Sequence, residues 1–258
     1  HGRALRANQL GSDLDVDLIG SLFDDDGPLS RAISGFEGRP EQVEMSRRVA
    51  GAINGVTAGD GTLAIIDDDA DAAPQAITFS GIVGASNRLG AITVGNSTQA
   101  GSALFTSANS VVVTTATVTG GDHASEDSVI EFQDALTATT VTLNDGTGDA
   151  TILFNTTNGA QTIAGTIDGA SSGEGTLNVS DDDTTESDLL TFSGNIGAIQ
   201  KLKAINIGSA TLGGDANFGG TALATTVTIT GGNAATENAG AVFVGNATVT
   251  TLALVGGS

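Results

Sequence analysis

Three runs of consecutive aspartates stand out among the residues able to do chemistry: Asp24, Asp25 and Asp26; Asp67, Asp68 and Asp69; and Asp181, Asp182 and Asp183. Calcium takes six to eight oxygen ligands at roughly 2.3–2.6 Å, and clustered carboxylates in a turn, helped by backbone carbonyls, can supply them. These nine residues are the candidate metal ligands, with Ca2+ as the candidate cofactor. Their spacing is neither that of an EF-hand loop nor that of the glycine-rich nonapeptide of calcium β-rolls. A solvated acidic turn that keeps the surface soluble accounts for the same runs, and the residues by themselves leave both readings open.

Enzymatic chemistry finds little material. The histidines are His1 and His123, and His123 sits in "GGDHASED", where a related stretch, "GGNAATEN", carries Ala234. There is no cysteine for nucleophilic work and no P-loop. Paired acids can hydrolyse glycosides, but sugar grooves favour Trp or Tyr platforms, and the chain has neither. The expectation is a protein that is not an enzyme, with no catalytic residue to assign.

Formal net charge is −21, so the phosphate backbone of nucleic acid and an anionic membrane surface are both repelled, and cations are the natural partners. Six of the nine basic residues (Arg3, Arg6, Arg31, Arg39, Arg47, Arg48) fall in the first 48 positions. Beyond residue 50 stand Arg88, Lys201 and Lys203, against 21 acids. That shift marks a boundary near Gly51, with an N-terminal arm or cap over 1–50. Within the arm, "RPEQVEMSRRVAGAI" places Pro40 to open a helix, with Val43, Arg47 and Ala50 at near-helical spacing. An irregular arm lying on a neighbour fits the same residues. The apolar stretches are far shorter than the roughly 20 residues that span a bilayer as a helix, so no transmembrane helix is expected. A start of "HGRALRANQL" and a chain free of cysteine suit a processed, exported protein.

The aspartate runs sit inside a duplication. "GTLAIIDDDADAAPQAITFSG" from Gly61 returns as "GTLNVSDDDTTESDLLTFSG" from Gly175, "GASNRLGAITVGNS" returns as "GAIQKLKAINIGS", and "TATVTGGDHASEDSVIEF" returns as "TVTITGGNAATENAGAVF". The division that follows is a first β-repeat unit over 51–163 and a second, incomplete one over 164–258. The second has no counterpart of "ATILFNTTNGAQTI", and further chain or another subunit is expected to cover its open end.

Each unit contains short apolar alternations, such as "TLAI", "AITV" and "ATVT", separated by Gly, Asn, Asp or Ser. The pattern predicts an all-β fold, either a repetitive β-solenoid or tandem β-sandwich domains of about the unit's size. Sandwich cores span two sheets about 10 Å apart and use bulky side chains to do it. Inward positions here read as mostly Val, Ile, Leu and Ala, which favours narrow stacked coils.

The phrases "LTFSGNIGAIQKLKAINIGSATLGGDANFGG" and "ITFSGIVGASNRLGAITVGNS" resemble bacterial surface-layer and autotransporter-passenger β-repeat proteins, in particular the repeat region of rickettsial outer membrane protein B. The likeness covers about residues 51–258 and rests on low-complexity punctuation. It implies an extracellular structural protein that self-assembles into a cell-surface layer or filament, with copies of itself and a cell-envelope anchor as partners. An adhesin-type passenger binding a host or neighbouring cell is the other function it allows. It carries over no catalytic residue.

Overall fold

The computed structural model describes residues 57–67, 74–84, 87–106, 110–156, 160–181, 188–233 and 237–256. The arm over 1–50, its expected helix and Asp24, Asp25 and Asp26 lie outside these residues.

The described chain is all-β. Its strands are β1 (Asp60–Ile65), β2 (Ala76–Phe79), β3 (Leu89–Val94), β4 (Ser102–Phe105), β5 (Val111–Thr119), β6 (Ser128–Phe132), β7 (Leu136–Asn144) and β8 (Ala150–Thr156). They continue with β9 (Gln161–Gly169), β10 (Glu174–Asp181), β11 (Leu189–Phe192), β12 (Leu202–Ile207), β13 (Gly214–Phe218), β14 (Ala222–Thr230), β15 (Ala239–Phe243) and β16 (Ala247–Val255). Odd-numbered strands stack in order in one sheet and even-numbered strands in the other, eight in each. Every pairing is parallel, for example Thr115 beside Thr140, so one coil takes about 25 residues. This is the β-solenoid, and the sandwich alternative is not what forms.

The strands form here because their apolar residues alternate. In β5, Val111, Val113, Ala116 and Val118 are buried, while Val112, Thr114, Thr115 and Thr117 are half-exposed. The alternation slips by one residue at Thr114–Thr115, and again at Thr139–Thr140 of β7. Two successive outward residues require the strand to turn there, so these longer strands bend around a corner of the coil. Isolated parallel bridges, Val83 to Val111 and Ile167 to Ile196 to Ala222, extend the ladder outside the named strands.

The core holds one feature that the reading of inward positions as mostly Val, Ile, Leu and Ala did not anticipate. Seven phenylalanines stand in a single file along the solenoid. Phe79, Phe105, Phe132 and Phe154 stack with centroids 4.9, 5.1 and 5.6 Å apart. Phe192, Phe218 and Phe243 stack at 5.1 and 4.9 Å. Strand spacing in a sheet is about 4.8 Å, so identical rings in register meet at stacking distance without distorting the backbone.

Between the two halves, Phe154 and Phe192 meet edge-on, at 5.6 Å and 78°. The file changes sheets at that point. Its first four members lie on β2, β4, β6 and β8, and its last three on β11, β13 and β15. The duplication explains the change. The strand of "GTLAI", β1, recurs as β10, the strand of "GTLNV", nine strands later. Nine is odd, so each element of the second unit lands on the sheet opposite to its counterpart. β9 pairs with both β7 and β11, and β8 with β10, so one core runs through the junction.

Phe132 is 1% exposed and stacks on both neighbours. Phe132→Ala should lower stability by about 3–5 kcal/mol, the range for a fully buried aromatic, and Phe132→Leu by markedly less. Chemical denaturation followed by circular dichroism reads the difference.

Candidate functional site

The structure describes the first aspartate of two runs, and gives both the same job. Asp67 Oδ2 accepts the backbone N–H of Gln75 at 3.0 Å, and Gln75 immediately precedes β2. Asp181 Oδ2 accepts the backbone N–H of Asp188, which immediately precedes β11. Each backbone is itself tied to the next coil: Asp67 N–H donates to the Ala100 carbonyl at 2.8 Å and Asp181 N–H to the Gly213 carbonyl at 3.1 Å. The carboxylate therefore closes the acidic loop onto the start of the following strand. Asp181 is buried, at 1% exposure, and a buried carboxylate needs such donors.

Asp68, Asp69, Asp182 and Asp183 lie outside the described residues. Among the described residues, no three His, Asp or Glu side chains come together in a way that could hold a metal ion. Asp67, just after β1, and Asp181, the last residue of β10, stand at equivalent points about four and a half coils apart and on opposite sheets, so the two runs do not converge on one ion. The described donors do not by themselves fit calcium.

Sequence reasoning missed a second pair of acids at matching positions. Glu126 and Glu237 are buried, at 2% and 8% exposure, and each follows a Gly-Gly pair by four residues. Glu126 Oε2 accepts the His123 N–H at 3.1 Å, and Glu237 Oε2 accepts the Gly213 N–H. The loops close alike: Gly121 N–H donates to the Glu126 carbonyl at 2.9 Å and Gly232 N–H to the Glu237 carbonyl at 2.7 Å. A Cβ at Gly121 or Gly232 would run into the glutamate side chain. The readable signal is G-G-x4-E in both copies. His123, in the same loop, pairs its Nδ1 with Ser125 Oγ at 2.8 Å.

The described residues include three cations, of which Lys203 makes the ion pairs. Its ammonium hydrogen-bonds Asp149 and lies 3.9 Å from Asp145 Oδ2. Lys203 reaches back two coils, passing over Gly175, its register neighbour on β10. Gly175 has φ of 77°, and a Cβ there would run into the buried Leu143, so the position takes glycine. The hydrogen bond to Asp149 raises the lysine above its ordinary pKa, against the opposing effect of desolvation. Arg88 instead reaches Thr139 Oγ1 at 3.4 Å.

Asp215, outward on β13, has no hydrogen bond or ion pair among the described residues, and burial pushes its carboxyl above the ordinary aspartate range. Two residues on, Asn217 Oδ1 is buried without a partner. On the other sheet, a half-open groove of about 380 Å³ is lined by Leu153, Asn178, Ser180, Asn206, Ser209 and Leu212, with Asn206 donating to Asn178 at 2.9 Å. Its lining is uncharged and mostly apolar, with no acid to hold an ion.

The chain matches no protein-family model, no curated protein and no solved structure.

A raised folded-state pKa in an acid means that the folded state disfavours its charge, so the penalty grows as pH rises past the unfolded value of 3.8 and vanishes below it. Asp215→Asn should raise the melting temperature near pH ~7 and leave it unchanged near pH ~3, where both states are protonated. Thermal melts at the two pH values check this.

Proposed function

We propose that this protein is an extracellular structural component of a bacterial cell surface, assembling with copies of itself into a layer or filament. The observation that supports this reading best is the uninterrupted parallel stack. The phenylalanine file runs from β2 to β15 along the described stack. Stacked coils extend by adding more of the same contact. Among the described residues, acids such as Asp67, Asp181, Glu126 and Glu237 close loops onto strands, in keeping with a scaffold.

Chains this acidic repel one another at close range, because physiological salt screens only beyond roughly 8 Å. Divalent cations, calcium first, are the proposed counter-charge between chains, together with the arginines of residues 1–48. A second reading, an adhesin-type passenger, draws support from Ile199. This side chain is 80% exposed on a turn held rigid by Asp168, whose Oδ1 accepts the Ile199 and Gln200 N–H groups at 2.9 and 3.3 Å.

Negative-stain electron microscopy before and after EDTA, with calcium or magnesium added back, tests the proposal. A regular lattice or filament that EDTA dissolves and calcium restores is the expected result. An assembly indifferent to EDTA removes the cation from the account but not the layer. Isolated monomers under every condition overturn self-assembly and favour the adhesin reading.

A further inference from the structure

The outward face of the odd-numbered sheet carries two parallel columns of side chains across its first five strands. Register places Thr62, Ala91, Thr115, Thr140 and Thr166 in the first column. Ala64, Thr93, Thr117 and Thr142 form the second, which ends at Asp168. Seven of the nine positions before Asp168 are threonine. Strands stack about 4.8 Å apart and alternate residues lie about 6.6 Å apart along each strand, so the threonines occupy a rectangular grid.

The grid is uncharged. The described residues include fifteen acids, and none occupies those nine positions. The strip therefore carries no charge that contact with a neutral ligand would have to desolvate. The second unit writes a similar strip on the even-numbered sheet, with Thr176 and Asn178, Ala204 and Asn206, and Thr226 and Thr228 in register. That repetition ties the pattern to the duplication rather than to one accident of packing.

A ligand for such a face must itself repeat in two directions. A crystalline polysaccharide would call for Trp or Tyr platforms, which the chain lacks. A second copy laid face to face would bury hydroxyls against hydroxyls, with no large side chain to interdigitate and offset their desolvation. Hexagonal ice remains: its prism face carries oxygens in a rectangular array whose two repeats are close to those of the grid. Threonine suits it, because its β-branched side chain is stiff at χ1 and holds hydroxyl and methyl in fixed positions, ordering water before contact.

We propose that the threonine strip on β1, β3, β5, β7 and β9 is an ice-binding surface. This function does not depend on the surface-layer reading.

The test uses the 258-residue chain in ice-affinity partition and thermal-hysteresis measurements, beside Thr117→Lys/Thr142→Lys and the control Thr147→Lys on an exposed turn. The chain should enrich in the ice fraction and show hysteresis. The double variant should lose that enrichment about tenfold or more, with an unchanged strand-rich circular dichroism spectrum, and the control should keep it. Should the double variant fail to fold, Thr142→Lys alone carries the comparison. Exclusion of the unmodified chain from ice, at the level of an unrelated soluble protein, overturns the proposal. Equal ice uptake by folded strip variants also overturns it. So does an oligomer that the strip variants dissociate without any ice uptake, which would make the strip a contact between copies.

Discussion

In a parallel coil each side chain meets its counterpart about 4.8 Å away on the next turn, and everything in this molecule answers to that constraint. A buried residue must tolerate its own kind, or a close match, directly above and below. Phenylalanine does so by stacking, and the file from Phe79 to Phe243 supplies the largest side chains in an otherwise aliphatic core. Outward residues face the same rule with a different penalty. Charged side chains in register would repel along the whole stack, so mid-strand positions are mostly Thr, Asn and Ala, and most acids are moved to the turns. In the turns or at a strand end they accept backbone N–H groups, as Asp67, Glu126, Glu237 and Asp181 do.

Nine strands per unit against two strands per coil has a consequence for any surface function. Equivalent elements of successive units appear on opposite sheets, so a feature written once per unit is displayed on more than one face. The aspartate turns, the buried glutamate loops and the threonine strips all follow this displacement. Such a chain presents similar chemistry in several directions, which suits contacts with neighbours on more than one side.

Much of this was legible in the sequence. The alternating runs and small turn residues pointed to all-β structure, and the narrow inward side chains favoured coils over a sandwich. The duplication was visible, but its length hid the coil: a unit of more than four coils reads as one large repeat, not as four turns of about 25 residues. The phenylalanine file was overlooked because nine phenylalanines in 258 residues looked like a poor aromatic supply. Their placement after short apolar runs, in "AITF", "SALF", "VIEF" and "ILF", was the signal. The role of Asp67 and Asp181 was not readable, since a loop-closing hydrogen bond depends on where the loop returns. Asp215 and Lys203 likewise depend on neighbours one or two coils away.

A disulfide trap tests the stacking across the junction, and the absence of native cysteine makes it unambiguous. Thr151 on β8 and Thr176 on β10 are outward register partners, within the separation of roughly 4.4–6.8 Å between Cα atoms that a disulfide spans. Thr151→Cys/Thr176→Cys should form an intramolecular disulfide in the monomer under mild oxidation, while Thr140→Cys/Thr176→Cys should not. Cross-linking of the second pair instead of the first would mean that the repeated units keep the same sheet, and would contradict the solenoid described here.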